Sequence, residues 1–319
     1  MPSSTKSTLI WVILSFAAIY VIWGSTYLFI AYTVERIPPF LMSALRFSAG
    51  SMLLLGLAAL LGKVKSVSNR ELKNAALAGF LFLGCGTGGV AWALQYVDSG
   101  FTALVISGQP LLVLLLMWLI NGDRPARQSF GGIFLGMLGM YLLVSQKELV
   151  ARPEQWKGIL AIFSSMIAWG IGSIFVTKVD LPKPQMVNNA CQMMAGGATL
   201  LGFSFLLENP TTFSFTAVPT VSWLALGYLV VFGAVVAFSA FNYLLTKVTP
   251  EKVATSTYVN PVVALFLGWY FRDELVTTQS MVAVAVMFTG VFFINATTEQ
   301  TRNFVRKVRS FGQKRLNKT

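Results

Sequence analysis

Apolar residues occur in long runs along this chain, and the short segments between the runs hold most of the charged residues. A helix needs about 20 mostly apolar residues to cross the roughly 30 Å hydrocarbon core of a bilayer, and each run is near or above that length. The runs are residues 7–34, 37–62, 74–97, 99–122, 128–146, 158–177, 184–207, 209–246, 253–271 and 275–298. The pattern predicts an all-α membrane protein with ten transmembrane helices.

The composition leaves no room for a soluble domain, since 55% of the 319 residues are hydrophobic and only 11% are charged. The first run is too long for a cleaved signal peptide and lacks a small-residue cleavage pattern, so we expect a retained helix. Cys85 and Cys191 lie inside apolar runs, and histidine is absent. We therefore expect no disulfide framework, no metal site and no cofactor.

The positive charges are distributed unevenly between the two sides of the predicted helices. If the N-terminus is cytoplasmic, 18 Lys and Arg residues fall in cytoplasmic segments and five in the opposite loops. Cytoplasmic loops carry the excess of Lys and Arg in membrane proteins, so both termini are predicted to be cytoplasmic. The same asymmetry explains most of the net charge of +12, and nucleic-acid binding is not expected.

A basic tail follows the last apolar run. Its apolar residues recur at helical spacing among cationic ones, namely Phe304, Val305, Val308 and Phe311 among Arg302, Arg306, Lys307 and Arg309. A helix with this pattern lies on a bilayer surface and is attracted to anionic lipid. The tail is therefore predicted to contact the lipid bilayer at the cytoplasmic face.

The two halves of the chain resemble each other when the sequence is aligned with itself. Shifts of 146 and 151 residues align Trp23 with Trp169, Arg46 with Gln192, Pro110 with Pro261, and Asp123 with Glu274. Each half contains five predicted helices. Because five is an odd number, the second half is predicted to enter the membrane inverted relative to the first, giving two inverted five-helix repeats.

This repeat defines the predicted domain organisation. It comprises a cytoplasmic N-terminus at 1–8, a first repeat at 9–146, a linker loop at 147–157, a second repeat at 158–297 and the basic cytoplasmic tail at 298–319. Inverted repeats give a protein two pseudo-equivalent conformations that face opposite sides, which alternating access requires. The alternative is that the duplication only builds a stable bundle.

Arg46 is the charged residue deepest inside a predicted span. Placing an arginine at the centre of a membrane helix costs about 2.5 to 3.5 kcal/mol, so such residues usually have a function. One interpretation is that its guanidinium binds a carboxylate or phosphate of a substrate. The other is that the side chain extends towards the membrane surface and pairs with Glu35 or Asp98.

Pro110 and Pro261 occupy matching positions in the middle of two spans, where each removes a helix hydrogen bond. Interrupted helices of this kind favour hinges or ligand contacts, so both prolines are candidate hinges. Gln109 and Asn260 directly precede them. The two amides are predicted either to bind substrate or to satisfy the carbonyl groups that the prolines free.

The remaining candidates for a substrate-binding cavity are aromatic and polar residues inside the spans. They are Trp23, Ser25, Thr26, Trp92, Gln95, Trp169, Ser173, Gln192, Asn242, Tyr243 and Tyr258. Aromatic walls suit amino acids and amphipathic drugs. Tryptophan and tyrosine are also common at membrane interfaces and in packed cores, so cavity lining and structural packing both stay open for each residue.

Two glycine patterns are interpreted as packing sites. Gly84, Gly86 and Gly89 form a GxGxxG pattern, but no strand precedes it, so close helix packing is favoured over dinucleotide binding. Gly132 and Gly136 form a GxxxG pattern, which permits close helix contact within the chain or a dimer contact. Internal packing and a monomer are favoured, and a dimer is possible.

Several motifs resemble those of the drug/metabolite transporter superfamily, in particular its EamA-type ten-helix permeases and the YedA-like group. The motifs are Ile22 to Tyr27 (IWGSTY), Pro38-Pro39 followed by Arg46-Phe47, and Tyr258 to Ala264 (YVNPVVA) followed by Asp273-Glu274. The resemblance implies that helices one to four and six to nine line a central cavity in a bacterial inner membrane. It also implies export of amino acids or other small metabolites.

No Asp, Glu or His lies deep in any predicted span. Carriers that couple to protons usually place such a group in mid-membrane, so facilitated diffusion or exchange is favoured over proton symport. A membrane-embedded enzyme would need clustered acids, a metal set or an activated nucleophile, and none is visible. A passive channel for small polar solutes is the other alternative, and a carrier, not an enzyme, is predicted.

Overall fold

A computed structural model describes residues 3–64, 66–122, 127–146 and 153–295. All regular secondary structure within these residues is helical. Seven of the helices are long and apolar enough to cross a membrane. The prediction of an all-α membrane protein is confirmed, whereas ten spans and an inverted arrangement stay predictions. The basic tail at 298–319 and most of the linker loop at 147–157 lie outside the described residues.

We number the membrane helices in chain order. They are α1 (Ser3–Val34), α2 (Pro39–Leu60), α3 (Asn69–Ala93), α4 (Ser99–Asn121), α5 (Arg127–Val144), α6 (Gln155–Phe175), α7 (Gln185–Leu207), α8 (Thr220–Leu245), α9 (Pro250–Ala254, Thr255–Tyr258 and Asn260–Arg272) and α10 (Thr278–Asn295). The apolar runs located these helices to within several residues at most ends. The run at 209–246 began too early, because residues 210–217 form two short 3₁₀ turns before α8.

Local sequence signals explain several helix ends. Ser68 accepts a hydrogen bond from the Glu71 backbone while the Glu71 side chain accepts one from the Ser68 backbone, so a capping box starts α3. Gly122 follows α4 with a φ of 75°, and Asp273 follows α9 with a φ of 52°. A residue in this left-handed conformation terminates a helix, and glycine adopts it without steric cost.

Helices α3 and α8 each contain a π-helical segment in mid-span. The segments are Phe80–Thr87 and Leu229–Ala237. A π-helical turn holds one more residue than an α-helical turn and often marks a functional site. The apolar periodicity of the sequence gave no sign of either segment.

Helices α4 and α9 are interrupted in mid-span, as the prolines predicted. In α4 a turn at Ser107 and Gly108 separates two α-helical segments, and in α9 the 3₁₀ segment Thr255–Tyr258 precedes the second segment. Pro110 and Pro261 occupy the second position of the downstream segments. A missing N–H costs little at this position, so the prolines start new helical segments instead of bending continuous ones.

Small residues allow the closest helix contacts. A Cβ atom added to Gly79 of α3 would collide with the backbone carbonyl of Gln192 in α7. A Cβ atom added to Gly290 of α10 would lie 2.6 Å from the carbonyl oxygen of Gly132 and 2.9 Å from the nitrogen of Gly136 in α5. The GxxxG pattern therefore packs within the chain, where α5 lies along α10.

Candidate functional site

A cavity of about 110 Å³ lies between the helices of the bundle. Its walls come from α1, α2, α3, α4, α6 and α9, and its lining residues are Trp23, Thr26, Tyr27, Ile30, Arg46, Gly86, Thr87, Val90, Ile106, Gln109, Ser165, Met166, Trp169, Thr257 and Asn260. Both halves of the chain contribute to the lining. Arg46 is the only charged residue among these fifteen.

The cavity lies towards one end of the bundle. On α1 it extends from Trp23 to Ile30, and α1 ends at Val34. Ile106 and Gln109 belong to the part of α4 that follows its start at Ser99. We call the end of the bundle where α1 ends and α4 begins the cavity end, and the opposite end the aromatic end.

An aromatic cluster closes the bundle on the other side of the cavity. It consists of Trp23, Phe82, Trp169, Phe238 and Phe241. The ring centroids of Trp23 and Trp169 are 5.6 Å apart in an edge-to-face arrangement, and the Phe241 ring lies 5.1 Å from Trp23 and 5.2 Å from Trp169. Phe82 lies 5.0 Å from Trp169 and 5.5 Å from Phe241. The two tryptophans belong to both the cavity wall and the cluster.

The Arg46 side chain is buried, with 3% of the residue exposed. Its Nε and Nη1 atoms have no hydrogen-bond partner, and no acidic residue that the structure describes forms an ion pair with it. Its Cζ atom lies 4.9 Å from the centre of the Phe47 ring. Glu35, one of the two partners that the sequence suggested, instead pairs with Arg272 at 2.6 Å.

The two amides beside the prolines bond to neighbouring helices. Gln109 Nε2 donates to the carbonyl oxygen of Met166 at 3.0 Å. In the orientation that satisfies its hydrogen bonds, the Asn260 amide donates to the carbonyl oxygens of Tyr20 at 3.1 Å and Ile19 at 3.2 Å. These contacts differ from the predicted capping of carbonyls that the prolines free. Because the nitrogens are engaged, the amide oxygens are the atoms left for a ligand.

The four hydroxyl groups of the lining all donate to backbone carbonyls. Thr26 donates to Trp23 at 2.7 Å, Thr257 to Ala254 at 2.8 Å, Ser165 to Ala161 at 2.7 Å and Thr87 to Phe82 at 3.3 Å. A hydroxyl whose proton is used in this way presents its oxygen as an acceptor. The neutral polar wall is therefore rich in acceptors.

Six of the residues proposed from sequence line the cavity, namely Trp23, Thr26, Arg46, Gln109, Trp169 and Asn260. The hinge candidates Pro110 and Pro261 are not among the lining residues, although each follows a lining amide.

The other proposed residues have structural partners away from the cavity. The Ser25 hydroxyl bonds to the Tyr228 hydroxyl at 2.7 Å, Ser173 donates to the Trp169 carbonyl, and Asn242 donates to the Phe238 carbonyl. The remaining contacts are Trp92 against the Tyr96 ring, Gln95 to the Trp92 carbonyl, Gln192 to Asn188 Oδ1 and Lys247 over the Tyr243 ring. The side chain of Tyr258 lies outside the described part of the structure.

Sequence reasoning missed nine lining residues: Tyr27, Ile30, Gly86, Thr87, Val90, Ile106, Ser165, Met166 and Thr257. A signal was present on α1, where residues 23, 26, 27 and 30 share one helix face. Extending the same spacing back from Trp169 would have reached Ser165 and Met166. No comparable signal identifies Gly86 and Thr87, which lie in the π-helical segment of α3.

Carboxylates hold helix starts at the cavity end. Glu274 accepts hydrogen bonds from the Ser99 hydroxyl at 2.6 Å and the Gly100 nitrogen at 2.9 Å, at the start of α4. Glu208 accepts from the nitrogens of Phe40 at 2.7 Å and Leu41 at 3.0 Å, at the start of α2. A carboxylate at a helix N-terminus is stabilised by the free N–H groups and the helix dipole.

Comparison with known proteins identifies the kind of protein that has this site. The sequence model of the EamA-like transporter family matches residues 9–145 and 156–296. The chain is 37% identical over 279 residues to the uncharacterized inner membrane transporter YedA of Escherichia coli (strain K12), covering 87% of this chain and 88% of YedA. It is 25% identical to the uncharacterized transporter YoaV of Bacillus subtilis, covering 88% of this chain and 95% of YoaV.

A solved crystal structure shares the fold, with a TM-score of 0.66 and 20% sequence identity over 91% of this chain and 98% of that one. The family match covers most of the chain, and the relatives that it resembles are named as transporters. The chain therefore belongs to the EamA-like transporter family.

Proposed function

We propose that this protein is an alternating-access carrier that exports amino acids or related small metabolites across a bacterial inner membrane. The observation that carries the proposal is a polar cavity that reaches mid-span and ends on a cluster of five aromatic rings. Access from one side together with closure on the other is what a carrier needs between transport steps. A continuous pore would lack such a barrier.

Paired features of the two halves support ten spans in two inverted repeats. The π-helical segments of α3 and α8 form one pair, the interruptions of α4 and α9 form another, and the left-handed residues Gly122 and Asp273 form a third. Each pair is separated by about the same distance along the chain as the aligned prolines. Inverted repeats place a substrate site near the bilayer midplane between the halves.

The distribution of Lys and Arg supports cytoplasmic termini, which places the cavity end on the outer face of the membrane. In this orientation the structure corresponds to an outward-facing conformation. An exporter would release its substrate in this conformation and take it up in the opposite one.

The cavity lining contains no Asp, Glu or His. Because a proton-coupled carrier needs a group that gains and loses a proton during the cycle, the proposal is facilitated diffusion or exchange. We also propose that the protein acts as a monomer, since the GxxxG surface of α5 is used inside the chain. The basic tail would contact anionic lipid.

Counterflow in proteoliposomes tests the proposal. Vesicles loaded with one unlabelled amino acid at high concentration should take up a trace of the same labelled amino acid transiently, and a screen across the amino acids should reveal the substrate. Protein-free vesicles serve as the control. Flux that does not saturate and shows no counterflow would indicate a channel. Substrate accumulation driven by a pH gradient at zero membrane potential would contradict the facilitative mechanism.

A further inference from the structure

The guanidinium of Arg46 is a fixed positive charge without a counter-charge among the described residues. The residue is 3% exposed, and two of its three nitrogens are buried without a hydrogen-bond partner. An isolated charge in a site of this kind is strongly unfavourable unless an opposite charge or hydrogen-bond acceptors reach it. Because Arg46 also lines the cavity, a ligand in the cavity can supply what the protein does not.

We propose that Arg46 is the anion-binding residue of this cavity and that it takes a carboxylate group of the transported molecule. This inference rests on the proposed function, which leaves the substrate class and its contacts open. A guanidinium offers several N–H donors in one plane, and carboxylates are its usual partners in proteins.

The charge balance of the cavity favours a carboxylate over a phosphate. Arg46 is the single cation among the fifteen lining residues, so one negative charge is matched and a second is not. A phosphate monoester carries close to two negative charges at neutral pH. The remaining donors near the cavity are neutral, since they are the indoles of Trp23 and Trp169 and the phenol of Tyr27.

The neutral part of the wall indicates what the other end of the ligand carries. The hydroxyls of Thr26, Thr87, Ser165 and Thr257 use their protons on backbone carbonyls, and the amide nitrogens of Gln109 and Asn260 are engaged by neighbouring helices. These six groups present oxygen atoms, which accept hydrogen bonds. The ligand is therefore a small carboxylate that also carries a hydrogen-bond donor, such as an ammonium group.

Gly233 of α8 allows the guanidinium to take its position. A Cβ atom added to Gly233 would lie 2.6 Å from Nη2 of Arg46 and 3.1 Å from the Thr26 Cγ2 atom. Gly233 belongs to the π-helical segment of α8. A Gly233→Ala variant should therefore displace the guanidinium without removing its charge, which separates the position of the charge from its presence.

Binding of minimal carboxylates to the purified protein in detergent tests the inference directly. Acetate and propionate are titrated against tryptophan fluorescence, because Trp23 and Trp169 line the cavity, and against thermal stability as a second readout. Acetamide and propionamide have nearly the same shape without the charge. Inorganic phosphate is the third probe.

The carboxylates should bind at least tenfold more tightly than their amides. Arg46→Gln should abolish this preference, Arg46→Lys should retain part of it, and Gly233→Ala should weaken carboxylate binding several-fold. Arg36→Gln, which removes an exposed arginine near the same end of the bundle, should leave binding unchanged. Equal binding of acids and amides, or an unchanged preference in Arg46→Gln, would overturn the inference. Phosphate binding tighter than carboxylate binding would overturn the choice of carboxylate.

Counterflow with the same variants separates this inference from the proposed function. Carboxylate binding that depends on Arg46, in a protein without counterflow, would contradict the carrier and leave the anion site standing. Counterflow that is the same in Arg46→Gln and the wild-type protein would contradict the anion site and leave the carrier standing.

Discussion

The two ends of the bundle are built on different physical principles. At the cavity end, polar groups dominate, with Arg46 unpaired in the cavity wall and Glu274 and Glu208 bonded to helix starts. At the aromatic end, Phe82, Phe238 and Phe241 pack beneath the two tryptophans without charged groups. One end is arranged to attract a polar ligand, and the other is arranged to exclude it.

This difference shows how closure of the aromatic end is maintained. Aromatic rings contribute large apolar areas, and ring pairs at these distances add about 0.5 to 1.5 kcal/mol each beyond burial. Such packing is stable but uncharged, so it can separate without leaving unpaired charges. The four predictions below test the comparison at each end, starting with the largest effect.

Trp169→Ala should have the largest effect, because it removes the ring that joins the cavity wall to Trp23, Phe82 and Phe241. Truncation of a large buried aromatic residue usually costs about 3 to 5 kcal/mol. We expect a large drop in thermal stability and a leak of substrate in proteoliposomes. Trp156→Ala on the same helix removes an indole that is 57% exposed and should change neither property strongly. A stable, tightly coupled Trp169→Ala protein would show that the cluster does not form the barrier.

Arg46→Met should stabilise the protein while it abolishes transport. The substitution removes an unpaired buried charge whose burial costs about 2.5 to 3.5 kcal/mol at the centre of a membrane helix. It also fills the space with an apolar side chain of similar length. A rise in melting temperature of the detergent-purified protein, together with loss of counterflow, is the expected result. A fall in melting temperature would indicate that Arg46 has a structural role.

Glu274→Gln should destabilise the cavity end by about 1 to 3 kcal/mol, the usual cost of leaving buried hydrogen-bonding groups unsatisfied. The Glu274 side chain is only 8% exposed and accepts from three donors at the start of α4. Glu35→Gln is the matched control, since this carboxylate is 51% exposed and pairs with Arg272 at the surface. Exposed pairs contribute about 0 to 1 kcal/mol. Equal melting temperatures for the two variants would contradict this assignment.

The smallest effect concerns Glu71, which is exposed at the aromatic end where α3 starts. Hydrogen bonds from the backbone and the hydroxyl of Ser68 hold the pKa of its carboxyl below the ordinary value. A lowered pKa in the folded protein means that stability is gained above the ordinary pKa of about 4.3 and lost as the pH falls through the folded value. Glu71→Gln should flatten this part of the pH profile of thermal stability. An identical profile in the variant would count against the capping box as its cause.

The sequence predicted the general architecture well because the signals for it are local. Length and apolarity define the spans, and Pro110 and Pro261 mark the interruptions of α4 and α9. Arg46 was identified as a candidate because a charge inside an apolar run is rare. Trp23 and Trp169 were found because they align in the two halves.

The rest of the site depends on how helices are rotated and packed against one another. Ser25 and Thr26 are adjacent in sequence, yet Ser25 bonds to Tyr228 and only Thr26 lines the cavity. Glu274 was noticed only as an aligned acid, and its partners at Ser99 and Gly100 are 174 and 175 residues away. Contacts over such distances leave no periodic signal in the chain.

The π-helical segment of α3 makes the site sensitive to the number of residues before it. One residue corresponds to a rotation of about 100° around a helix axis. Deleting a single residue within Phe80–Thr87 would let this stretch return to α-helical geometry, and everything after it up to Ala93 would turn by that angle. Val90 would then leave the cavity wall and a different side chain would replace it. A one-codon insertion or deletion at this point is therefore a simple evolutionary route by which relatives could change what they carry while every other helix stays in place.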